Sequence, residues 1–115
     1  MLLNRTKQQS NLLSANIFKN WLNSKRIYIM TFTRSVVIVW TIPVDTVSPA
    51  CITTLKDKLA AMAAAGQTDG KNYWFSPQIT EYRFTDQAAA EEFVYYLTQV
   101  FPCNTDIDSM AINNI

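Results

Sequence analysis

The run of residues 34–43 is apolar on both alternate faces. Val36, Ile38, Trp40 and Ile42 fall on one side of an extended chain, and Val37, Val39 and Thr41 on the other. A strand wet on one face alternates apolar with polar, so this pattern predicts a central strand covered on both sides. The period then changes. Ser48-Pro49 sets a helix cap before a proline at the first helical position. Ile52, Leu55, Leu59 and Met62 follow at helical spacing, Lys56, Asp57 and Lys58 lie outside, and Gly66 suits the C-terminal cap. Ala60, Ala61 and Ala63 to Ala65 raise helix propensity and let this helix sit close to a sheet.

Residues 72–84 read as two short strands, Tyr73-Trp74-Phe75 and residues 79–84, joined by a Ser76-Pro77-Gln78 turn, because proline is poorly tolerated inside a central strand. A single bent edge strand is the alternative. In the second strand Thr80, Tyr82 and Phe84 share one face, and Ile79, Glu81 and Arg83 take the other. Thr85 or Asp86 caps a second helix whose buried stripe is Ala90, Phe93, Leu97, Val100 and Phe101, and Pro102 ends it. Residues 106–112 supply a last edge strand.

The order strand, helix, strand, strand, helix, strand predicts an α+β chain on the split β-α-β plan, a ferredoxin-like βαββαβ sandwich. Right-handed crossovers put both helices on one face of an antiparallel sheet. No element is left for the other face. The Val, Ile and Trp face of the central strand is worth roughly 1.5–3 kcal/mol per large side chain when buried. It therefore predicts a homo-oligomer, a homodimer or homotrimer, packed through the open face or its edges.

Composition narrows the chemistry. The 115 residues allow one domain with a modest core, and the 49% hydrophobic and 17% charged fractions describe a folded, soluble chain. No apolar run reaches the roughly 18–20 residues of a membrane span. There is no histidine, and the only glycines are Gly66 and Gly70. Ser-His-Asp catalysis, histidine-bound zinc, the Gly-x-Gly-x-x-Gly turn and the phosphate-binding P-loop are excluded. No metal or cofactor is expected. Cys51 and Cys103 lack metal-ligand spacing and read as buried free thiols in a reducing, cytoplasmic setting, a disulfide being the other reading.

The net charge of +1 conceals an asymmetry. Arg5, Lys7, Lys19, Lys25 and Arg26 give residues 1–30 a charge of +5 with no acid, leaving −4 for the rest. Residues 1–29 read as an extension ahead of a domain spanning residues 30–115. Leu13, Ile17, Phe18 and Trp21 would share one face of a short basic helix there. The extension is a poorly ordered lead-in, an amphipathic arm for a partner or membrane surface, or a transit-like leader. No interleaving of aromatic and basic residues continues into the domain, so nothing points to nucleic acid.

On the open sheet face the candidate chemistry is Glu81 and Arg83. They form an ion pair, or they place a carboxylate at a subunit interface beside Tyr73, Trp74 and Tyr82, where a cationic, aromatic-bearing ligand would be received.

Two resemblances sharpen this. Tyr82-Arg83-Phe84-Thr85-Asp86-Gln87-Ala88-Ala89-Ala90-Glu91-Glu92-Phe93 resembles the strand-to-helix junction of small dimeric ferredoxin-like proteins, including the antibiotic-biosynthesis-monooxygenase-like group. Chain size, element order, the junction at residues 83–90 and Thr54-Leu55-Lys56 are similar to small phage-encoded enzymes that degrade S-adenosylmethionine, trimers of ferredoxin-like subunits similar to PII proteins. The second resemblance implies a cytoplasmic lyase, in the host cytoplasm if phage-encoded. It implies that the substrate's own carboxylate cleaves it to methylthioadenosine and homoserine lactone at subunit interfaces. Glu81 would then be the catalytic carboxylate at the sulfonium or ammonium end, Tyr73 and Tyr82 would orient the substrate with Arg83 nearby, and Trp74 would stack on adenine. The alternatives are a non-catalytic ligand-binding or regulatory module, a monooxygenase-like dimer with an aromatic-lined pocket inside each subunit, and a structural or host-interaction protein working through its basic arm.

Overall fold

The computed structural model describes residues 30–115. The expectations for residues 1–29 lie outside the described residues. The chain is α+β: β1 (Arg34–Trp40), α1 (Pro49–Ala64), β2 (Ile79–Phe84), α2 (Gln87–Gln99) and β3 (Ile107–Asn114). The strands form an antiparallel sheet in the order β2-β1-β3, so β1 is central as its apolar pattern predicts. Three strands and two helices are compatible with a small ferredoxin-like arrangement, with one strand fewer than expected.

The missing strand is Tyr73-Trp74-Phe75. Residues 67–76 follow the outer edge of β2 without forming a ladder. Thr85 N–H donates to the Gln67 carbonyl at 3.0 Å, Thr68 Oγ1 to the Arg83 carbonyl at 2.7 Å, and Tyr73 N–H to the Glu81 carbonyl at 2.8 Å. Local polar turns divert this segment. Asp69 Oδ1 accepts from Lys71 N–H, and Asn72 Oδ1 accepts from the N–H groups of both Trp74 and Glu81, each at 3.0 Å. Short amide and carboxylate side chains offer the backbone an alternative to strand pairing. Gly70, at φ +73°, takes a left-handed conformation that L side chains adopt at a cost.

The core lies between the sheet and the helices. Val36, Ile38 and Trp40 of β1 and Phe84 of β2 meet Leu55, Leu59 and Met62 of α1 and Phe93 and Leu97 of α2, all nearly inaccessible to water. Phe84 and Tyr82 pack against Phe93 at ring separations of 5.0 and 5.6 Å. The Trp40 indole N–H donates to Thr80 Oγ1 at 3.0 Å, which satisfies both groups inside the core. The Val-Ile-Trp face is thus the one the helices cover, not the bare one. The uncovered face presents the smaller Val37 and Val39, both half-buried, which weakens the argument for a second subunit drawn from that face. Val100, expected in the buried stripe of α2, is exposed, because the helix ends at Gln99 and the chain turns so that Phe101 enters the core instead. Tyr96 takes a place in the stripe.

Both helices begin near the expected residues. Asp86 caps α2, its side chain accepting from Ala89 N–H at 2.8 Å. Ser48 precedes α1 with Pro49 at its first position, although the serine hydroxyl makes no capping bond.

Cys51 and Cys103 are joined in a disulfide, with Cα atoms 6.0 Å apart. This overturns the expectation of two free thiols. The bridge ties the first turn of α1 to the loop after α2 across 52 residues of chain. Closing a loop of that length in the unfolded chain stabilises the fold by roughly 4 kcal/mol in the chain-entropy account. Disulfides persist in oxidising compartments, the reverse of the reducing setting inferred from two isolated cysteines.

Candidate functional site

β2 alternates, and the alternation divides the candidate residues. Thr80, Tyr82 and Phe84 turn into the core, while Ile79, Glu81 and Arg83 occupy the open face beside Ser35, Val37 and Val39 of β1. Glu81 is only 9% exposed, although neither of the described helices covers it. Its Oε2 accepts from Ser35 Oγ at 2.7 Å and from Arg83 Nε at 3.0 Å. Ser35 faces Arg83 in the β1–β2 register, which puts its hydroxyl within reach of the carboxylate.

Above this pair lies the segment that replaces the missing strand. The Arg83 guanidinium stands 4.3 Å from the centre of the Tyr73 ring, a cation–π distance. Tyr73 meets Phe32 edge-on at 6.4 Å, and its hydroxyl donates to Asp69 Oδ2. Desolvation, followed by the bond to Asp69 and the charge of Asp69, pushes the Tyr73 hydroxyl up to about 12 against a smaller opposing effect of Arg83. At neutral pH the phenol is therefore a fixed donor. Asp69, Tyr73, Arg83, Glu81 and Ser35 form one connected polar chain, and its two acids and single base leave it one negative charge in excess.

Of the five residues singled out from the sequence, Glu81, Arg83 and Tyr73 come together. Tyr82 lies on the other side of the sheet, against Phe93. Trp74 is 45% exposed, and its ring makes no aromatic contact among the described residues. Phe75 beside it is 99% exposed. Ser35 and Asp69 were missed. Ser35 becomes visible only once β1 and β2 are in register, whereas Asp69, four residues before Tyr73 in a turn, was open to a local reading.

A second feature had no counterpart in the sequence reading. Between α1 and the outer edge of β2 lies a cavity of about 560 Å³, lined by Val47, Ile52, Leu55, Thr80 and Tyr82, with Asp45 and Lys56 also contributing. It opens where a fourth strand would have lengthened the sheet. Among the described residues Tyr82 is the one aromatic side chain that lines it. Burial raises the Tyr82 hydroxyl above its ordinary value, partly offset by a hydrogen bond with Thr80.

Among the described residues no group of three or more His, Cys, Asp or Glu side chains is placed to hold a metal ion, and no helix is long and apolar enough to cross a membrane. Comparison of the chain with protein-family models, with curated proteins and with solved structures returned no match.

Proposed function

We propose that residues 30–115 form a ferredoxin-like module lacking one edge strand, which self-associates through its open sheet face and receives a cationic small molecule at Glu81. One observation carries this reading: Glu81 is nearly buried on a sheet face that neither described helix covers, in a polar chain with one excess negative charge. Taking a carboxylate out of water is costly. Arg83 and Ser35 offset that cost for Glu81, so what a ligand would answer is the excess charge of the chain as a whole. A second copy over Val37 and Val39 would deepen that burial, and a cation entering beside Tyr73 would neutralise the excess.

The most specific chemistry of this kind is S-adenosylmethionine cleavage. The substrate carboxylate attacks its own γ-carbon as the carbon–sulfur bond breaks. The bonding pair returns to sulfur, giving neutral methylthioadenosine and homoserine lactone. Such a reaction asks the protein to fold the substrate and hold its charges, without a proton-transfer base. Glu81 would hold the cationic end, Arg83 the carboxylate, and Tyr73 would orient both. Tyr82 and Trp74, which lie apart from this cluster, drop out of the proposed site.

Two observations favour a second reading, a binding module without turnover. Arg83 already pairs with Glu81, so an incoming cation must compete with it. The Cys51–Cys103 bridge also fits an oxidising compartment better than the cytoplasm. Incubating the purified chain and a Glu81→Gln variant with S-adenosylmethionine, then assaying methylthioadenosine by chromatography and mass spectrometry, separates the readings. Product from the wild type alone supports the lyase and Glu81. Product from both keeps the activity and removes Glu81 from it. No product above spontaneous breakdown leaves the non-catalytic module.

A further inference from the structure

We propose that the cavity between α1 and the outer edge of β2 binds a small zwitterion with an apolar body, the chemical class of a free apolar α-amino acid. At about 560 Å³ it falls within the range of small-molecule sites. Its interior is apolar: Val47 and Leu55 are each 2% exposed, and Ile52 is half-buried beside them. A branched or aromatic side chain seated there removes its own surface and the exposed part of Ile52 from water, Val47 and Leu55 being covered already.

The charged groups select the other end of the ligand. Asp45 and Lys56 both line the cavity, both are exposed, and neither forms an ion pair with another side chain among the described residues. Two unpaired charges of opposite sign beside one apolar cavity match an ammonium and a carboxylate carried on one small molecule. A purely apolar ligand leaves both unused, and a ligand of single charge meets one attractive and one repulsive group. Thr80 and Tyr82 give the same cavity hydroxyl groups, Thr80 already taking the Trp40 indole N–H. The site lies on the helix-covered side of β2, away from Glu81, and does not depend on the function proposed above.

The test is calorimetric titration of the full chain with L-phenylalanine and L-leucine, alongside phenylacetate, which lacks the ammonium, and phenethylamine, which lacks the carboxylate. Both zwitterions are expected to bind, and the singly charged analogues about tenfold more weakly than phenylalanine. Asp45→Asn and Lys56→Gln, changes at exposed positions, are each expected to weaken phenylalanine about tenfold, while phenylacetate, relieved of a repulsion, binds more tightly after the first and phenethylamine after the second. Near-ultraviolet circular dichroism of each variant checks that the core is intact. The proposal is overturned if neither amino acid binds in the millimolar range, if phenylacetate or phenethylamine binds as tightly as phenylalanine, or if both variants leave phenylalanine affinity unchanged.

Discussion

Arg83 serves two partners at once: its guanidinium lies 4.3 Å from the centre of the Tyr73 ring, while its Nε is 3.0 Å from Glu81 Oε2. A planar guanidinium can stack and donate in fixed directions together, whereas an ammonium is a point charge on a flexible stem. Arg83→Lys is therefore expected to lower stability although charge is conserved. Because the Arg83 side chain is 34% exposed, solvent screening limits the loss to about 1 kcal/mol. Urea denaturation measures it, and an unchanged midpoint would mean that the stacked geometry contributes nothing.

In the same cluster Ser35 Oγ donates to Glu81 Oε2 at 2.7 Å. Removing the hydroxyl leaves a nearly buried carboxylate with one donor fewer, so Ser35→Ala is expected to cost about 1–2 kcal/mol. In a Glu81→Gln background the same change should cost clearly less, because the acceptor no longer carries full charge. A double-mutant cycle reads this coupling directly, and additive costs would separate the two residues energetically.

Tyr73 gives the cluster a pH signature. Its hydroxyl is raised from 10.0 to about 12, so the folded chain holds this proton more tightly than the unfolded chain does. The resulting stability is fully present below about pH 10 and is lost as pH rises towards about 12. Spectrophotometric titration should find Tyr73 ionising late together with the buried Tyr82, and Asp69→Asn should bring the Tyr73 step part of the way down while leaving Tyr82 in place. In Tyr73→Phe the fall of stability over that alkaline interval should be shallower than in the wild type.

The disulfide makes a prediction independent of any ligand. Without reductant the intact mass should be two hydrogens short of the reduced chain, and iodoacetamide should label neither Cys51 nor Cys103. Replacing both by alanine should cost roughly 3–4 kcal/mol, read as a lower denaturant midpoint. Full alkylation of the non-reduced native protein would refute the bridge.

Self-association through the open face is tested at Val39, which is half-buried on that face. Val39→Lys should keep the fold, since the side chain lies outside the core, and should turn any oligomer of the wild type into monomer by light scattering. A wild type that is already monomeric at high concentration would remove the second copy from the proposed function.

How far these features were legible in the sequence depended on the range of the interactions behind them. β1 and both helices follow from apolar period, a proline at the start of α1 and an aspartate cap at α2, all local properties. Glu81 and Arg83 were assigned to the open face because β2 alternates over six residues. The segment carrying Tyr73, Trp74 and Phe75 misled because its aromatic residues favour strand, while the competing side-chain bonds of Asp69 and Asn72 make turns instead. Two cysteines 52 positions apart say nothing of their distance in space until α1 and the end of α2 are packed together. The Ser35 contact and the cavity under α1 likewise depend on register and on what the missing strand leaves open.

That missing strand also bears on how copies of this domain can add to one another. Residues 67–76 occupy the outer rim of β2 with bonds to Thr85, Arg83 and Glu81, so a foreign strand finds few free backbone groups there. Among the described residues the outer rim of β3 has no such guard. A sheet accessible at one rim adds a single neighbour: two copies joined rim to rim leave no rim for a third. A filament needs both ends of the sheet free, so the irregular segment that spoils the fourth strand also blocks the endless edge-to-edge growth of the sheet.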